Sequence, residues 1–318
     1  MIIKNINRLL VILKPDRSYN PDWDKYTSRT RQHYACVIAI AVGLMFGCTN
    51  QDHVSQALYI KGDLVLDYQP ESNLVQKQSI PGKPKYPVID VHTHFSSDLT
   101  PTFLLEKMDA LGIKAIINLS GGYGVKLDRM LEKFSQYDPD RFIIFCNLDF
   151  SKIDDSDFSE QMVAFLSAAH AKGARGLKIF KNLGLTVKDK TGQILAIDDV
   201  RLDPVWAKAG ELGMPVLIHS ADPMAFFKPT DRFNERLMQL KRHPDWSFYG
   251  AAFPKREIII EQRNRVIARH PNTIFIGAHV GNSAEDLMML GKLLDAYPNL
   301  YVDVAGRVAE LGRQPYTA

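Results

Sequence analysis

Cysteine is scarce in this 318-residue chain: Cys36, Cys48 and Cys146 are the only three, and no Cys-x-x-Cys pair occurs. A disulfide framework is therefore excluded. No Gly-Lys-Ser/Thr phosphate loop and no Gly-x-Gly-x-x-Gly turn is present, which removes the two commonest nucleotide cradles. Charge of one sign is also missing. Lys and Arg total 39 against 36 Asp and Glu, a net +3 scattered along the chain, and this gives no basis for nucleic-acid binding. Long apolar runs are nearly absent. The exception is residues 35–47, uncharged and apolar throughout, which is short for a membrane span.

That run has the length of a signal-peptide core. Arg29 and Arg31 precede it, and Gly47-Cys48 and the polar Thr49–Asp52 follow it. The arrangement resembles a bacterial lipoprotein signal, although Met45 and Phe46 stand where small or aliphatic residues are expected. The resemblance implies export to the cell envelope, periplasmic or lipid-anchored, with membrane attachment through a lipidated Cys48. A buried helix or an uncleaved anchor are the competing readings. If the signal is cleaved at Cys48, Cys146 is the one unmodified cysteine left, and no internal disulfide can form. The chain then divides into a leader (1–48), an N-terminal appendage and connector (49–86), and a main domain (87–318). Short strands are expected at 57–60 and 64–66 of the appendage.

From residue 88 onward, apolar strand-like runs alternate with amphipathic helical stretches. The runs are 88–95, 113–120, 142–150, 174–180, 214–220, 273–280 and 300–305. Helices are expected near 101–111, 125–136, 157–172, 203–212, 257–269 and 283–296. Met162, Phe165, Leu166 and Ala169 recur at helical spacing, the mark of one apolar stripe. Gly112, Gly173 and Gly213 fall where left-handed helix caps belong. Near-continuous apolar strands alternating with helices predict a parallel sheet covered by helices. The fold expected is an α/β (β/α)8 TIM barrel lacking its eighth strand, with a doubly wound open sheet as the alternative.

Active groups of such a barrel sit at the C-terminal ends of its strands. His92 and His94, in Val88-Ile-Asp-Val-His-Thr-His-Phe95, end the first run. Residues i and i+2 of a strand share a face, so the two imidazoles and Asp90 point the same way. His219 ends the fifth run and His279 the sixth; Lys178 lies on the fourth and Asp303 on the seventh. Four of the nine histidines thus collect at one end of one sheet. His170 and His270 fall at helix C-termini, where the helix dipole favours them. His33, His53 and His243 fall in leader or loop.

This constellation resembles the amidohydrolase superfamily, and its wording resembles the amidohydrolase-related branch that includes aminocarboxymuconate-semialdehyde decarboxylase-like enzymes. Val-Ile-Asp-Val-His-Thr-His, Gly-Leu-Lys-Ile-Phe-Lys and Phe-Ile-Gly-Ala-His-Val-Gly carry the likeness, over about residues 86–318. The resemblance implies that His92, His94 and His219 bind a divalent metal, zinc first and manganese second. It implies a catalytic or substrate-orienting role for His279. Lys178 stands where some relatives carry a carboxylated, metal-bridging lysine; a salt-bridged or substrate-facing lysine is the plainer reading.

The family also supplies a strand-eight aspartate, and no such strand follows here. The expectation is a C-terminally truncated barrel. Asp303 belongs to the seventh strand and reads as a partner for neighbouring loop amides.

The reaction implied is hydrolysis of an amide, ester or lactone-like small molecule by metal-activated water. Decarboxylation of an unsaturated acid is the alternative, and an inactive or binding-only barrel is the third. Substrate selection is expected in the long connector 221–256, where Phe226, Arg232 and Trp246 are candidate pocket residues.

Overall fold

The computed structural model describes residues 84–314 together with Glu71 and Asn73. The apolar run 35–47, Cys48 and the strands expected at 57–60 and 64–66 lie outside the described residues. Seven strands follow one another: β1 (Val88–Thr93), β2 (Ile113–Asn118), β3 (Phe142–Cys146), β4 (Gly176–Ile179), β5 (Val216–Ile218), β6 (Phe275–Gly277) and β7 (Leu300–Val302). Every adjacent pair is parallel. Parallel neighbours need a crossover, and helices provide most of them. The helices are α1 (Pro101–Leu111), α2 (Val125–Met130), α3 (Phe158–Lys172), α4 (Asp203–Glu211), α5 (Leu237–Arg242), α6 (Arg256–Arg269), α7 (Leu287–Ala296) and α8 (Val308–Leu311).

Strand order equals chain order, β1 to β7, without a reversal. A doubly wound sheet requires a point where the order reverses, so that alternative is excluded. The sheet curls until its ends approach: His92 on β1 touches Asp303, just past β7, at 2.8 Å. This is the α/β barrel architecture, with no eighth strand among the described residues.

Two apolar layers produce the curl. Ala115, Ile117, Ile143, Phe145, Leu217 and Ile276 form one cluster from successive strands, the barrel interior. Their sequence neighbours Ile116, Phe142, Ile144, Val216 and Phe275 belong to a second cluster, which includes Met162, Leu166 and Trp206 from the helices. The period-2 alternation of strand side chains makes this division. All five residues of β3 are buried, as expected of a strand covered on both faces. Gly176 allows the ring of Phe145 to cross β4: a Cβ there would stand 2.3 Å from the ring.

The helix boundaries follow local chemistry. Thr100 caps α1 by accepting from the Phe103 amide, Pro101 opens it, and Gly112 closes it at φ 70°. Gly173 closes α3 at φ 118°. The strands are shorter than the apolar runs, and β4, β5 and β6 lose residues at both ends. Helix α7 begins at 287 rather than 283, because Asp286 caps it by accepting from the Met289 amide. The connector 221–256 contains α5 and the short turns Met224–Phe227 and Pro244–Trp246. Among the described residues, no helix is long and apolar enough to cross a membrane.

Candidate metal centre

The four strand-end histidines meet. Ring centroids of His92 and His94 are 5.3 Å apart, those of His92 and His279 4.7 Å, and those of His219 and His279 4.5 Å. They run in the order His94, His92, His279, His219 across the mouth of the barrel. Ligand atoms of His92, His279 and Asp303 all lie within 4.8 Å of one another. Asp90, expected beside them, is exposed and accepts the His92 backbone amide at 3.1 Å.

Hydrogen bonds decide which ring nitrogens are free. His92 Nδ1 lies 2.8 Å from Asp303 Oδ2. His279 Nδ1 lies 2.7 Å from the Ala305 carbonyl. Both oxygens only accept, so both Nδ1 atoms carry a proton, and in the neutral ring each Nε2 has a lone pair to offer. His94 Nδ1 bonds the Ser120 hydroxyl at 2.7 Å, a group that both donates and accepts. A metal-binding histidine typically has its other nitrogen tied to a carboxylate, carbonyl or water in this way.

Asp303 does more than sequence order suggests. Its Oδ1 accepts from the His279 and Ala305 amides at 2.9 and 3.0 Å. It is therefore the partner of loop amides that the sequence led us to expect, and it orients His92 as well. The chain carrying His279 is strained: His279 and Val280 have φ 58° and 63°. A left-handed β-branched residue is rare, and such strain concentrates at functional sites. Val280 gains a 2.6 Å hydrogen bond to the Asp303 carbonyl, so one residue of β7's exit holds both the turn and the His92 ring.

The local electrostatics favour neutral imidazoles. Burial first, then His92, Lys178 and His279, push His94 down to about 4. Burial pushes His219 down to about 4 against the opposing pull of Asp222. His279 lies below its ordinary value, again through burial. Burial opposes ionisation of Asp303, but the His92 hydrogen bond and charge and the His279 amide hold its carboxyl below the usual range. Lys178 is 1% exposed, and its Nζ has no hydrogen-bond partner. It makes no ion pair among the described residues, which removes the salt-bridged reading. Burial pushes it down to about 8, with Asp303 opposing.

The connector residues are placed differently. Phe226 is buried and faces Trp246 at 6.3 Å. Trp246 also stacks on His243 at 4.1 Å. Arg232 is exposed and lies over Phe233 at 4.7 Å. Among the described residues, no hydrogen bond, ion pair or ring contact joins any of the three to the histidine cluster. The nearest link is Lys181, whose Nζ lies 5.7 Å from the Trp246 ring centroid and 2.5 Å from Asp222 Oδ2. Asp222 Oδ1 in turn lies 3.4 Å from His219 Nε2. Sequence reading passed over Asp222, Lys181 and Ser120. The short spacing from His219 to Asp222 was the only visible signal. Away from the site, His270 is tied to Asp203 at 3.0 Å, and Cys146 is buried with a free thiol.

A barrel of parallel strands carries its active groups at the C-terminal mouth, where these histidines gather. The model of the family described as Amidohydrolase (Amidohydro_2) matches residues 73–318, and the chain belongs to that family. No curated protein matches the chain. Among solved structures, an uncharacterized TIM-barrel protein from Bordetella bronchiseptica is 18% identical, with a TM-score of 0.42. That match covers 64% of this chain and 59% of the other. A dihydroxybenzoic acid decarboxylase from Polaromonas sp. JS666, with bound manganese and the inhibitor 2-nitroresorcinol, is 14% identical over 70% of this chain and 79% of its own, with a TM-score of 0.43. An amidohydrolase from Burkholderia multivorans with bound zinc is 14% identical over 70% and 71%, with a TM-score of 0.44.

Proposed function

We propose that the barrel holds a divalent cation, zinc or manganese, and hydrolyses an amide, ester or lactone-like small molecule. The carrying observation is the gathering of four strand-end imidazoles at the barrel mouth, with ring centroids 4.5–5.3 Å apart in succession and ligand atoms of His92, His279 and Asp303 within 4.8 Å of one another. These donors suit zinc and manganese. His92, His94 and His219 would hold the ion, in keeping with the resemblance. A bound divalent cation supplies Lewis acidity, which polarises a substrate carbonyl and acidifies water.

The chain's own groups do the remaining work. His279, with its Nδ1 proton given to Ala305, offers a lone pair at Nε2. It accepts a proton from the attacking water and returns it to the leaving group. Lys178 Nζ, buried without a partner, donates to a substrate carboxylate or to the developing oxyanion. Asp303 keeps His92 and the His279 turn in register. The same unpaired ammonium also suits an unsaturated acid, so decarboxylation is the second reading. The apolar run 35–47 with Cys48 supports export and attachment to the cell envelope.

The test is a panel of amides, esters, lactones and unsaturated carboxylic acids, assayed with zinc or manganese. Hydrolysis that disappears in His279→Gln supports the proposal. Carbon dioxide release without any hydrolysis replaces it with the second reading.

A further inference from the structure

Asp222 is 5% exposed and lies just beyond β5. Its Oδ1 stands 3.4 Å from His219 Nε2, a buried nitrogen with no hydrogen-bond partner. Its Oδ2 accepts from Lys181 Nζ at 2.5 Å. The loop that carries it is fixed from several sides. Arg256 Nε donates to the Asp222 carbonyl at 3.2 Å, and the same guanidinium donates to the Asn282 carbonyl. Asn282 Nδ2 donates to the Ser220 and Ala221 carbonyls at 2.7 and 3.1 Å. Ala221 itself sits at φ 65°, a conformation that needs such external support.

We propose that Asp222 is a positioning residue for His219, and that Lys181 orients Asp222 and ties it to the aromatic connector. The inference rests on the proposed role of His219 as a metal ligand. At 3.4 Å the contact is an ion-pair distance without a formed hydrogen bond; a carboxylate facing Nε2 only accepts, so it favours the ring proton on that nitrogen and leaves the Nδ1 lone pair for the ion. Lys181 occupies the other carboxylate oxygen and so holds the first against the ring. The Lys181 ammonium also lies 5.7 Å from the Trp246 centroid and 5.3 Å from that of Phe248, within cation–π range. The aromatic connector and His219 therefore share one ion pair. The site then contains two carboxylate–histidine pairs, Asp303 with His92 and Asp222 with His219.

The experiment titrates the metal-free full chain with Zn2+ against a chromophoric chelator, and records the visible spectrum of the Co2+-loaded form. Asp222→Asn is expected to weaken Zn2+ binding ~10- to 100-fold and to change the Co2+ spectrum. Lys181→Met is expected to change both in the same direction. If Asp222→Asn does not fold, Lys181→Met decides alone, and an unchanged affinity and spectrum overturn the proposal. A folded Asp222→Asn with lower thermal stability but unchanged Zn2+ affinity also overturns it. His219→Ala separates the two levels. Lost binding in His219→Ala with unchanged binding in Asp222→Asn refutes only the Asp222 role. Unchanged binding in His219→Ala refutes the ligand assignment and the proposal with it.

Discussion

Replacing Lys178 by methionine should stabilise the metal-free protein. The side chain is 1% exposed and its ammonium makes no hydrogen bond or ion pair among the described residues, lying 5.4 Å from the Phe180 ring centroid, so the folded state carries a buried charge that Asp303 only partly offsets. Burial moves its pKa from 10.5 to about 8. At ~1.4 kcal/mol per pH unit, that is about 3 kcal/mol against folding. The sign follows from linkage. The folded pKa lies below the unfolded one, so below about pH 8 both states hold the proton and the full cost is felt. Between about pH 8 and 10.5 the unfolded state binds more protons, and stability rises with pH. Methionine is unbranched and uncharged, so it can fill much of the same space. Lys178→Met should therefore gain up to about 3 kcal/mol at pH 7, or roughly 6–12 °C in Tm, with little advantage left by pH 10.5. Urea unfolding at pH 7 and pH 10, with thermal melts, measures this. Destabilisation at pH 7, or a difference that does not vary with pH, would refute the reasoning. If Lys178 also holds substrate, the same variant should raise KM while it raises Tm.

Other variants probe other parts of the account. Phe226→Ala should cost about 3–5 kcal/mol, because it opens a cavity in the core, whereas Arg232→Ala should stay within about 0.5 kcal/mol; denaturation midpoints compare the two. Gly176→Ala forces a methyl into the Phe145 ring and should cost about 1–3 kcal/mol, read from the same curves. The Cys146 thiol, buried and pushed up to about 12, should resist maleimide in the native chain and react only after denaturation, as peptide mapping by mass spectrometry would show. His219, pushed down to about 4 from 6.5, takes up its proton more readily in the unfolded state. The metal-free protein should therefore lose stability as pH falls from about 6.5 to 4, with a shallower loss in His219→Gln.

All seven strands lie inside the apolar runs, because strands such as β3, β4, β5 and β6, buried throughout, leave an unbroken hydrophobic signature that local reading detects. The six principal helices were legible for a similar reason: glycine caps and 3.6-residue stripes are local. Strand ends were harder. His219 and His279 look like strand termini in sequence, but they lie just beyond β5 and β6. The left-handed turn at His279–Val280 depends on Asp303 amide bonds that no local pattern announces. Asp303 itself bonds a ring 211 residues away, so its hold on His92 had no sequence signal. Asp222 and Lys181, 41 residues apart, became partners only through the pairing of β4 with β5. The aromatic connector was readable as long and was expected to select substrate, but its aromatics pack on one another and are linked to the site through Lys181.

Metal stoichiometry of the purified full chain tests the central claim most directly. Elemental analysis before and after dialysis against a chelator, for the parent and for His92→Ala, makes the comparison. The account predicts near-stoichiometric zinc or manganese in the parent and its loss in His92→Ala. Either full metal retention in His92→Ala or no bound metal in a folded, metal-supplemented parent would contradict it.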